Sequence, residues 1–189
     1  MARTPSTMQD LGTLMPSFEL PDTEGTLFST ERDLSGQGTL VIFMCNHCPF
    51  VIHLREVLAT FGNEMQDRGL SVVAISSNDV ENYPMDGPKE MKLERQKAGY
   101  LFPYLYDESQ EVARAFTAAC TPDFFLYDAQ NRLVYRGQFD DSRPGNQIPV
   151  SGDSLRAACE SLLSTGSVDE AIEQRPSLGC NIKWRDSLS

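Results

Sequence analysis

An apolar segment that leads directly into an amphipathic helix constrains the fold of this chain more than any other feature. Residues 39–44 (TLVIFM) form a continuous apolar run after the threonine, which predicts a strand buried on both faces of a sheet. Between residues 49 and 68, apolar side chains recur at every third or fourth position and Gly69 follows, which predicts a helix with proline in its first turn. A buried strand followed by a helix is typical of α/β domains.

Further segments extend this α/β pattern along the chain. A small β-hairpin is predicted near the N-terminus, because residues 18–20 and 26–28 flank the turn signal at 22–25 (DTEG). Strands are predicted at residues 70–75, 124–127 and 133–136, and helices at residues 89–98, 109–116 and 154–163. We therefore expect a mixed central sheet flanked by helices, with the β-hairpin as an N-terminal extension.

The length of 189 residues suits a single domain, which we expect to span residues 15–164. Residues 1–14 are expected to form a flexible N-terminus. Residues 165–189 are expected to form an irregular tail that packs on the domain, with a short helix near residues 168–173.

The charge of the chain limits its classes of partner. The formal net charge is −11 at pH 7, and such a surface repels nucleic acids and anionic membranes. Residues 1–16 lack the apolar segment of a secretory signal peptide, and no apolar run reaches the ~18 residues of a membrane-spanning helix. A cytoplasmic location is therefore expected, where structural disulfides are rare. In that setting, two cysteines separated by two residues are expected to be catalytic or metal-binding.

The chain carries such a pair, Cys45 and Cys48, at the junction between the first buried strand and the following helix. A thiolate is the reactive form of cysteine, and a helix N-terminus lowers a thiol pKa through its unpaired N–H groups and its dipole. Pro49 suits the first helical position, so Cys48 would cap the helix and be the better stabilised thiolate. His47 would stabilise a neighbouring thiolate when protonated, or it serves as an exposed spacer in the turn.

Binding of a soft metal ion is an alternative of another class. Cys45, Cys48 and His47, with Cys120 as a further candidate, offer ligands that suit copper(I) or zinc. A second ligand pair at the spacing of structural zinc sites is missing from the sequence. The redox interpretation is therefore preferred, and for it we expect neither a cofactor nor a metal.

Several segments together resemble the thioredoxin-like superfamily, in its peroxiredoxin-like branch of AhpC/TSA type. The resemblance covers residues 15–163 and rests on LVIFMCNHCPFV, SVVAISSND, FPYLYDESQEVARAF and TPDFFLYDAQNRLVYRG. A narrower group of bacterial thioredoxin-family proteins shares the CNHCP turn, the Thr-Pro pair and a tail similar to residues 179–184 (GCNIKW). The resemblance implies a thioredoxin-like fold and a thiol–disulfide oxidoreductase. Its implied partners are protein or small-molecule disulfides and a thiol reductant.

The resemblance also implies roles for individual residues. In thioredoxins a cis-proline faces the CxxC pair, and Thr121 and Pro122 occupy that position here. In thioredoxins the first cysteine attacks and the second resolves, which would make Cys45 the nucleophile. Because the helix cap favours Cys48 instead, the sequence leaves both assignments open.

The match to the peroxiredoxin pattern is incomplete. That family uses Pro-x-x-x-Thr-x-x-Cys, but with Cys48 as the reactive residue, Val41 and Cys45 stand at the proline and threonine positions. No arginine lies between Arg114 and Arg132 to take the place of that family's later arginine. Poor reduction of peroxide is therefore expected, and a thiol-dependent peroxidase is kept as an alternative function.

Three more cysteines lie outside the pair. Cys120, shortly before the Thr-Pro pair, is expected near the CxxC turn, as a second resolving thiol or as a buried bystander. Cys159 lies on the apolar face of a predicted helix and is expected in the core. Cys180 is either a distant resolving thiol on a flexible tail or part of a tail whose Ile182 and Trp184 cover the core.

Overall fold

The computed structural model describes residues 3–34 and 36–185. The strands in these residues are β1 (Arg3–Pro5), β2 (Glu19–Pro21), β3 (Leu27–Ser29), β4 (Gly38–Phe43), β5 (Ser71–Ser76), β6 (Tyr104–Tyr106), β7 (Cys120–Thr121), β8 (Asp123–Asp128), β9 (Leu133–Gly137) and β10 (Leu178–Asn181). The helices are α1 (Pro49–Asp67), α2 (Pro88–Ala98), α3 (Glu111–Ala115) and α4 (Asp153–Thr165), with a 3-10 helix at Pro84–Asp86. Within this part of the chain, no helix combines the length and apolar character that crossing a membrane requires.

Five strands form the central sheet, in the order β6-β5-β4-β8-β9. Strand β4 pairs in parallel with β5 and antiparallel with β8, so the sheet is mixed, as predicted. All six residues of β4 are buried. Leu40 and Ile42 belong to the core cluster that contains the buried face of α1, whereas Val41 and Phe43 pack with Phe116 in a second cluster. The apolar run thus corresponds to a strand that is covered on both faces.

Helix α1 follows β4, as the apolar spacing predicts. Its buried face includes Val51, Leu54 and Leu58. Gly69, just beyond the helix, has a φ of +102°, a left-handed conformation that glycine adopts without steric cost. The predicted N-terminal hairpin is also confirmed, because β2 and β3 pair antiparallel.

A separate three-stranded sheet joins the two ends of the chain, in the order β1-β10-β7. Residues 1–14, expected to be flexible, instead contain a strand in their described part, because β1 pairs with β10. The short helix expected at residues 168–173 is not formed, and these residues lie in turns and irregular segments. Residues 1–2 and 186–189, which the terminal predictions include, lie outside the described residues. Strands of two to four residues are too short for an alternating pattern to reveal them.

Candidate active site

The turn between β4 and α1 holds the CxxC pair. Cys48 is the N-cap residue of α1, with an extended backbone (φ −70°, ψ 122°), and Pro49 is the first helical residue. Both thiols are free and buried, with 2% of Cys45 and 0% of Cys48 exposed. The strand-to-helix junction therefore forms as predicted, and it places Cys48 beside the unpaired N–H groups of the helix start.

A cis peptide bond between Thr121 and Pro122 lies against this turn. The sulfur of Cys48 is 3.1 Å from the carbonyl oxygen of Thr121, and the sulfur of Cys45 is 3.4 Å from the hydroxyl oxygen of the same residue. Both members of the pair therefore contact Thr121, one through its backbone and the other through its side chain. The structure brings the CxxC pair and the cis-proline turn together, as the resemblance implies.

The two thiols differ in the pKa that their surroundings impose. A hydrogen bond from Cys45 is the largest of the contributions that lower the pKa of Cys48 to about 5. The Thr121 side chain and the backbone N–H of Val51, in the first turn of α1, act in the same direction, while burial opposes them. The hydrogen bond to Cys48, then burial and the negative charge of Asp86, raise the pKa of Cys45 well above its ordinary value. These contributions favour a thiolate at Cys48 and a protonated thiol at Cys45, whereas the carbonyl oxygen of Thr121 would accept a hydrogen bond from a Cys48 thiol.

A buried carboxylate fixes the conformation of the CxxC turn. Asp86, in the 3-10 helix, is 0% exposed and accepts hydrogen bonds from the backbone N–H groups of Asn46 (2.8 Å) and His47 (3.3 Å). Its other carboxylate oxygen accepts a hydrogen bond from Asn78 Nδ2 at 2.8 Å and lies 2.6 Å from His47 Nδ1. Although burial raises the pKa of Asp86, these donors hold it below its ordinary value. The turn is therefore held by a charged acceptor from outside the motif.

His47 is a fixed member of this network and not an exposed spacer. Its hydrogen bond to Asp86 raises the pKa of the His47 ring. The ring also stacks on Tyr83, with centroids 5.4 Å apart and planes 10° from parallel. No motif in the sequence points to Asp86 or Tyr83, because both reach the turn from a loop that follows β5.

Three residues of the site, Cys45, His47 and Asp86, could supply ligands to a metal ion. Ligand atoms of Cys45, His47 and Asp86 all lie within 4.8 Å of one another. The two oxygens of Asp86 already engage four donor groups, so a metal ion would have to displace some of them. Cys120, the further ligand that the sequence suggests, does not belong to this group.

Of the two alternatives for Cys120, the structure fits the buried bystander, because the residue is 0% exposed and its sulfur contacts the backbone of Pro122. Its sulfur lies 3.6 Å from the carbonyl oxygen of Pro122, and its neighbours include Asp123 and Ser6. Successive side chains of a strand point to opposite faces, so Cys120 and Thr121 of β7 do not both face the pair. Burial raises the pKa of Cys120, which makes it a poor nucleophile.

Cys180, and not Cys120, supplies a third thiol to the pair. It lies in β10 directly opposite Thr121 of β7 and is 3% exposed. Its side chain makes a hydrogen bond with Cys48. The tail is therefore part of the site, and of the two alternatives for Cys180 the distant thiol on a flexible segment does not hold.

The same tail brings a cation to the site. Lys183 is 9% exposed, its backbone N–H donates to Asn78 Oδ1 at 2.8 Å, and its carbonyl accepts from Asp79 N at 2.8 Å. The ammonium nitrogen lies 5.7 Å from the centre of the Tyr83 ring. Burial raises the pKa of Cys180, and this ammonium group acts in the opposite direction. The sequence quoted for the tail contains Lys183, but its position beside the thiols depends on the fold.

The sequence assigns Cys159, Ile182 and Trp184 to packing, and their exposed fractions differ. Cys159 in α4 is 0% exposed, and burial raises its pKa. Ile182 is 1% exposed and belongs to the core. Trp184 is 36% exposed, and its ring lies 4.5 Å from the guanidinium of Arg114. The tail thus covers the core mainly through Ile182.

Arg136 is a buried arginine that pairs with a carboxylate away from the CxxC turn. Arg136, in β9, is fully buried in an ion pair with both oxygens of Asp123, and its guanidinium lies 3.8 Å from the centre of the Phe125 ring. Phe125 belongs to a different core cluster from Cys45 and Cys48. The guanidinium of Arg136 therefore serves this buried ion pair.

Comparisons with known proteins identify the family and the fold. The family model described as the AhpC/TSA family matches residues 11–136. A search of curated proteins found no match. The thioredoxin domain of a thiol-disulfide oxidoreductase from Bacteroides vulgatus shares the fold, with 19% identity and a TM-score of 0.55 over 69% of this chain and 91% of that chain. The fold is therefore thioredoxin-like.

Two solved structures are similar over nearly the whole chain. An uncharacterized conserved protein from Geobacillus kaustophilus is 49% identical, with a TM-score of 0.94 over 99% of this chain and 98% of that chain. A hypothetical protein from Sinorhizobium meliloti 1021 is 48% identical, with a TM-score of 0.94 over 97% of this chain and all of that one. Because the family model spans well over half of the sequence, this chain belongs to the AhpC/TSA family, and its function is thiol-based redox chemistry.

Proposed function

We propose that this protein is a thiol–disulfide oxidoreductase in which Cys48 attacks the substrate disulfide and Cys45 resolves the mixed disulfide. The placement of both thiols at the start of α1, against the cis-proline turn, is the observation that carries the proposal. Cys48 caps α1 and receives hydrogen bonds that lower its pKa to about 5, whereas Cys45 donates one of them and keeps its proton. A thiolate beside a protonated thiol suits disulfide exchange, because the thiolate attacks the substrate disulfide and the thiol then resolves the mixed disulfide.

The proposed reaction balances without a cofactor. The Cys48 thiolate attacks one sulfur of a substrate R–S–S–R′, which forms a Cys48–S–S–R mixed disulfide and releases R′–S⁻. Cys45 then gives its proton to the departing thiolate and attacks the Cys48 sulfur, so that a Cys45–Cys48 disulfide forms. The substrate gains the two electrons that the cysteines lose. A thiol reductant restores both thiols by the reverse exchange.

The surroundings of Thr121 favour small-molecule disulfides over extended polypeptides as substrates. The backbone of β7, beside the cis-proline, already pairs with β10 of the same chain, so an incoming strand cannot pair there. Because 0% of Cys48 is exposed, contact with any substrate requires a local opening.

Reaction with an aromatic disulfide that releases a coloured thiol tests the assignment of the nucleophile. Cys45→Ser keeps the attacking thiolate, so we expect it to release a first equivalent of coloured thiol rapidly. Cys48→Ser lacks that thiolate, and we expect its rate to fall by at least about 100-fold, as for removal of other enzymatic nucleophiles.

The control for this experiment is Cys159→Ser, which removes a fully buried thiol of α4. We expect it to react like the wild type. Rapid release from Cys48→Ser together with slow release from Cys45→Ser would assign the nucleophile to Cys45 and reverse the proposal.

Peroxide reduction is a second candidate, favoured by membership of the AhpC/TSA family. A thiolate reacts with peroxide to give a sulfenic acid, which a second thiol converts to a disulfide. Since Arg136 is paired with Asp123, we expect Cys48 to react with peroxide slowly. Stopped-flow peroxide consumption as fast as disulfide reduction would make the peroxidase the main activity.

The group of Cys45, His47 and Asp86 favours a third candidate, a copper(I)- or zinc-binding module. Because four donors already occupy the carboxylate of Asp86, we expect no stoichiometric metal. Metal analysis of the protein purified under reducing conditions checks this, and a full equivalent of metal per chain would favour the binding module.

A further inference from the structure

Strand β10 meets the cis-proline turn at a position that only glycine fits. A Cβ atom on Gly179 would lie 2.0 Å from the carbonyl oxygen of Thr121. The next residue, Cys180, is paired with Thr121 across the two strands, so both side chains lie on the same face. The Thr121 hydroxyl contacts Cys45 on that face, and the Thr121 carbonyl oxygen contacts Cys48. The close approach of the two backbones thus presents the Cys180 thiol to the CxxC pair.

The strand that carries Cys180 is fixed on several sides. Strand β1 pairs with its outer edge. Before the strand, the hydroxyl of Ser177 donates to the carbonyl of Pro122 at 2.8 Å, and after it the N–H of Lys183 donates to Asn78 Oδ1 at 2.8 Å. These contacts therefore fix the position of Cys180 relative to Cys48.

Opposite charges act on Cys180 and Cys45. Burial, and then the hydrogen bond to Cys48, raise the pKa of Cys180 to about 12, while Lys183 acts to lower it. The hydrogen bond to Cys48 and burial raise the pKa of Cys45, and the negative charge of Asp86 raises it further. Once Cys48 is in a mixed disulfide it carries no charge, so its contribution to both pKa shifts disappears. A cation then assists ionisation of Cys180, whereas an anion opposes ionisation of Cys45.

We propose that Cys180 is a second resolving thiol, so that a mixed disulfide on Cys48 is resolved by Cys180 as well as by Cys45. This inference rests on the proposed disulfide exchange at Cys48 and adds a third redox-active cysteine to it. Cys180 gives its proton to the departing thiolate while its sulfur attacks Cys48 Sγ. The Cys48–S–S–R bond breaks, a Cys48–Cys180 disulfide forms and R–SH leaves.

The electrons balance as in the exchange with Cys45. Cys48 and Cys180 together lose two electrons, the substrate disulfide gains them, and a thiol reductant later restores both thiols. Cys45 remains reduced beside the new disulfide and can attack Cys48 in turn. The disulfide therefore passes between the two partners of Cys48 without any net oxidation or reduction.

The Cys45→Ser variant, treated with oxidised glutathione, isolates the proposed step. We expect both halves of the oxidised glutathione to be released as thiol and a Cys48–Cys180 disulfide to appear in peptide mass spectra. In Cys45→Ser/Cys180→Ser we expect the reaction to stop at a mixed disulfide of glutathione with Cys48. A mixed disulfide that persists in Cys45→Ser itself, with Cys180 still reduced, would overturn the inference.

Cys45→Ser/Cys120→Ser is the matched control, because Cys120 is also buried and lies in the neighbouring strand. We expect this variant to form the Cys48–Cys180 disulfide as Cys45→Ser does. If Cys45→Ser does not fold, the wild type decides: a Cys48–Cys180 peptide pair that is absent from Cys180→Ser supports the inference. The lack of that pair in the oxidised wild type rejects it.

Failure of the proposed function would look different from failure of this inference. If exchange at Cys48 does not occur, the wild type forms neither a mixed disulfide at Cys48 nor a Cys45–Cys48 disulfide, and both proposals fall. If the wild type forms the Cys45–Cys48 disulfide while Cys45→Ser stops at the mixed disulfide, only the role of Cys180 is rejected.

Discussion

The CxxC turn and the tail strand β10 bring thiols to the same place by different means. In the turn the determinants are local, because a buried strand ends, a proline starts a helix and both cysteines lie between them. In β10 the thiol comes from the other end of the chain, through pairing with β7 and through a glycine that allows close contact. In the proposed reaction the first arrangement supplies the attacking thiolate of Cys48, and the second supplies Cys180 as a resolving thiol.

The two regions also differ in the charge beside each thiol. Asp86 raises the pKa of Cys45 further, whereas Lys183 acts to lower the pKa of Cys180. A change in β10 should therefore alter which disulfide forms, and a change in the turn should alter how readily Cys48 reacts. The following substitutions separate these two effects.

Gly179→Ala should disrupt the contribution of the tail and spare that of the turn. Its methyl group would lie 2.0 Å from the carbonyl oxygen of Thr121, so β10 would have to move away from β7. We expect the free energy of unfolding to fall by about 1–3 kcal/mol, the usual cost of overpacking. We also expect most of the Cys48–Cys180 disulfide to be lost while Cys45–Cys48 still forms. Urea unfolding measures the first effect, and peptide mapping after oxidation measures the second.

Gly166→Ala is a useful comparison, because Gly166 has a φ of +79° and open space where a Cβ atom would lie. We expect a cost of about 1–2 kcal/mol from the left-handed backbone alone, with both disulfides unchanged. A Gly179→Ala protein that is as stable as the wild type and has the same disulfides would show that the close approach is not required.

Removal of each thiol donor should raise the pKa of Cys48 by a different amount. Cys45 makes the largest of the contributions that lower this pKa, and Cys180 makes a smaller one. A hydrogen bond to a charged group is worth about 1.5–3 kcal/mol, so we expect Cys45→Ala to raise the pKa of Cys48 by about one to two units. We expect a smaller rise in Cys180→Ala. The rate of alkylation of Cys48 as a function of pH, read by mass spectrometry, measures both.

In the wild type the alkylation rate should rise as the pH increases through about 5 and then level off. An ordinary thiol would continue to gain reactivity up to a pH of about 8.5. Cys159→Ala, which leaves the donors of Cys48 intact, should reproduce the wild-type profile. A larger shift in Cys180→Ala than in Cys45→Ala would mean that the tail, and not the turn, sets the pKa of Cys48.

The turn could be predicted from the sequence because its signals are short-range. A continuous apolar run, Pro49 and the spacing of Cys45 and Cys48 are all visible in one stretch of sequence. The place of Thr121 and Pro122 followed from the resemblance, and the structure puts them against the pair. The positions of these residues can be predicted without knowing how distant strands pair.

The contribution of the tail could not be predicted in this way. Strand β7 has two residues, so the sequence does not reveal which of Cys120 and Thr121 faces the pair. Because Cys120 is close in sequence to the cis-proline, it is the candidate for a third thiol at the pair. Pairing between β7 and β10 places Cys180 there instead. The burial of Asp86 likewise depends on how a loop folds back over the turn.

The smallest expected effect is that of His47→Asn. The hydrogen bond to Asp86 raises the pKa of His47, so folding favours the protonated ring. That stabilisation is fully present below the unfolded-state value of about 6.5 and is lost as the pH rises through the folded-state value. Asparagine keeps an N–H donor but no charge, so we expect a loss of about 1 kcal/mol or less at a pH below 6.5, and a smaller loss at alkaline pH. Urea unfolding at the two pH values measures the difference.

The other histidine of the chain is the control for this prediction. His53 Nε2 lies 2.6 Å from the neutral hydroxyl of Ser142, so His53→Gln is a matched substitution that leaves the carboxylate of Asp86 and its partners intact. The disulfides formed by His47→Asn should match those of the wild type, because the main donors that lower the pKa of Cys48 are Cys45, the Thr121 side chain and the N–H of Val51. An equal loss of stability at both pH values would mean that the charge of His47 contributes nothing. A changed disulfide pattern would instead mean that His47 takes part in the exchange reaction itself.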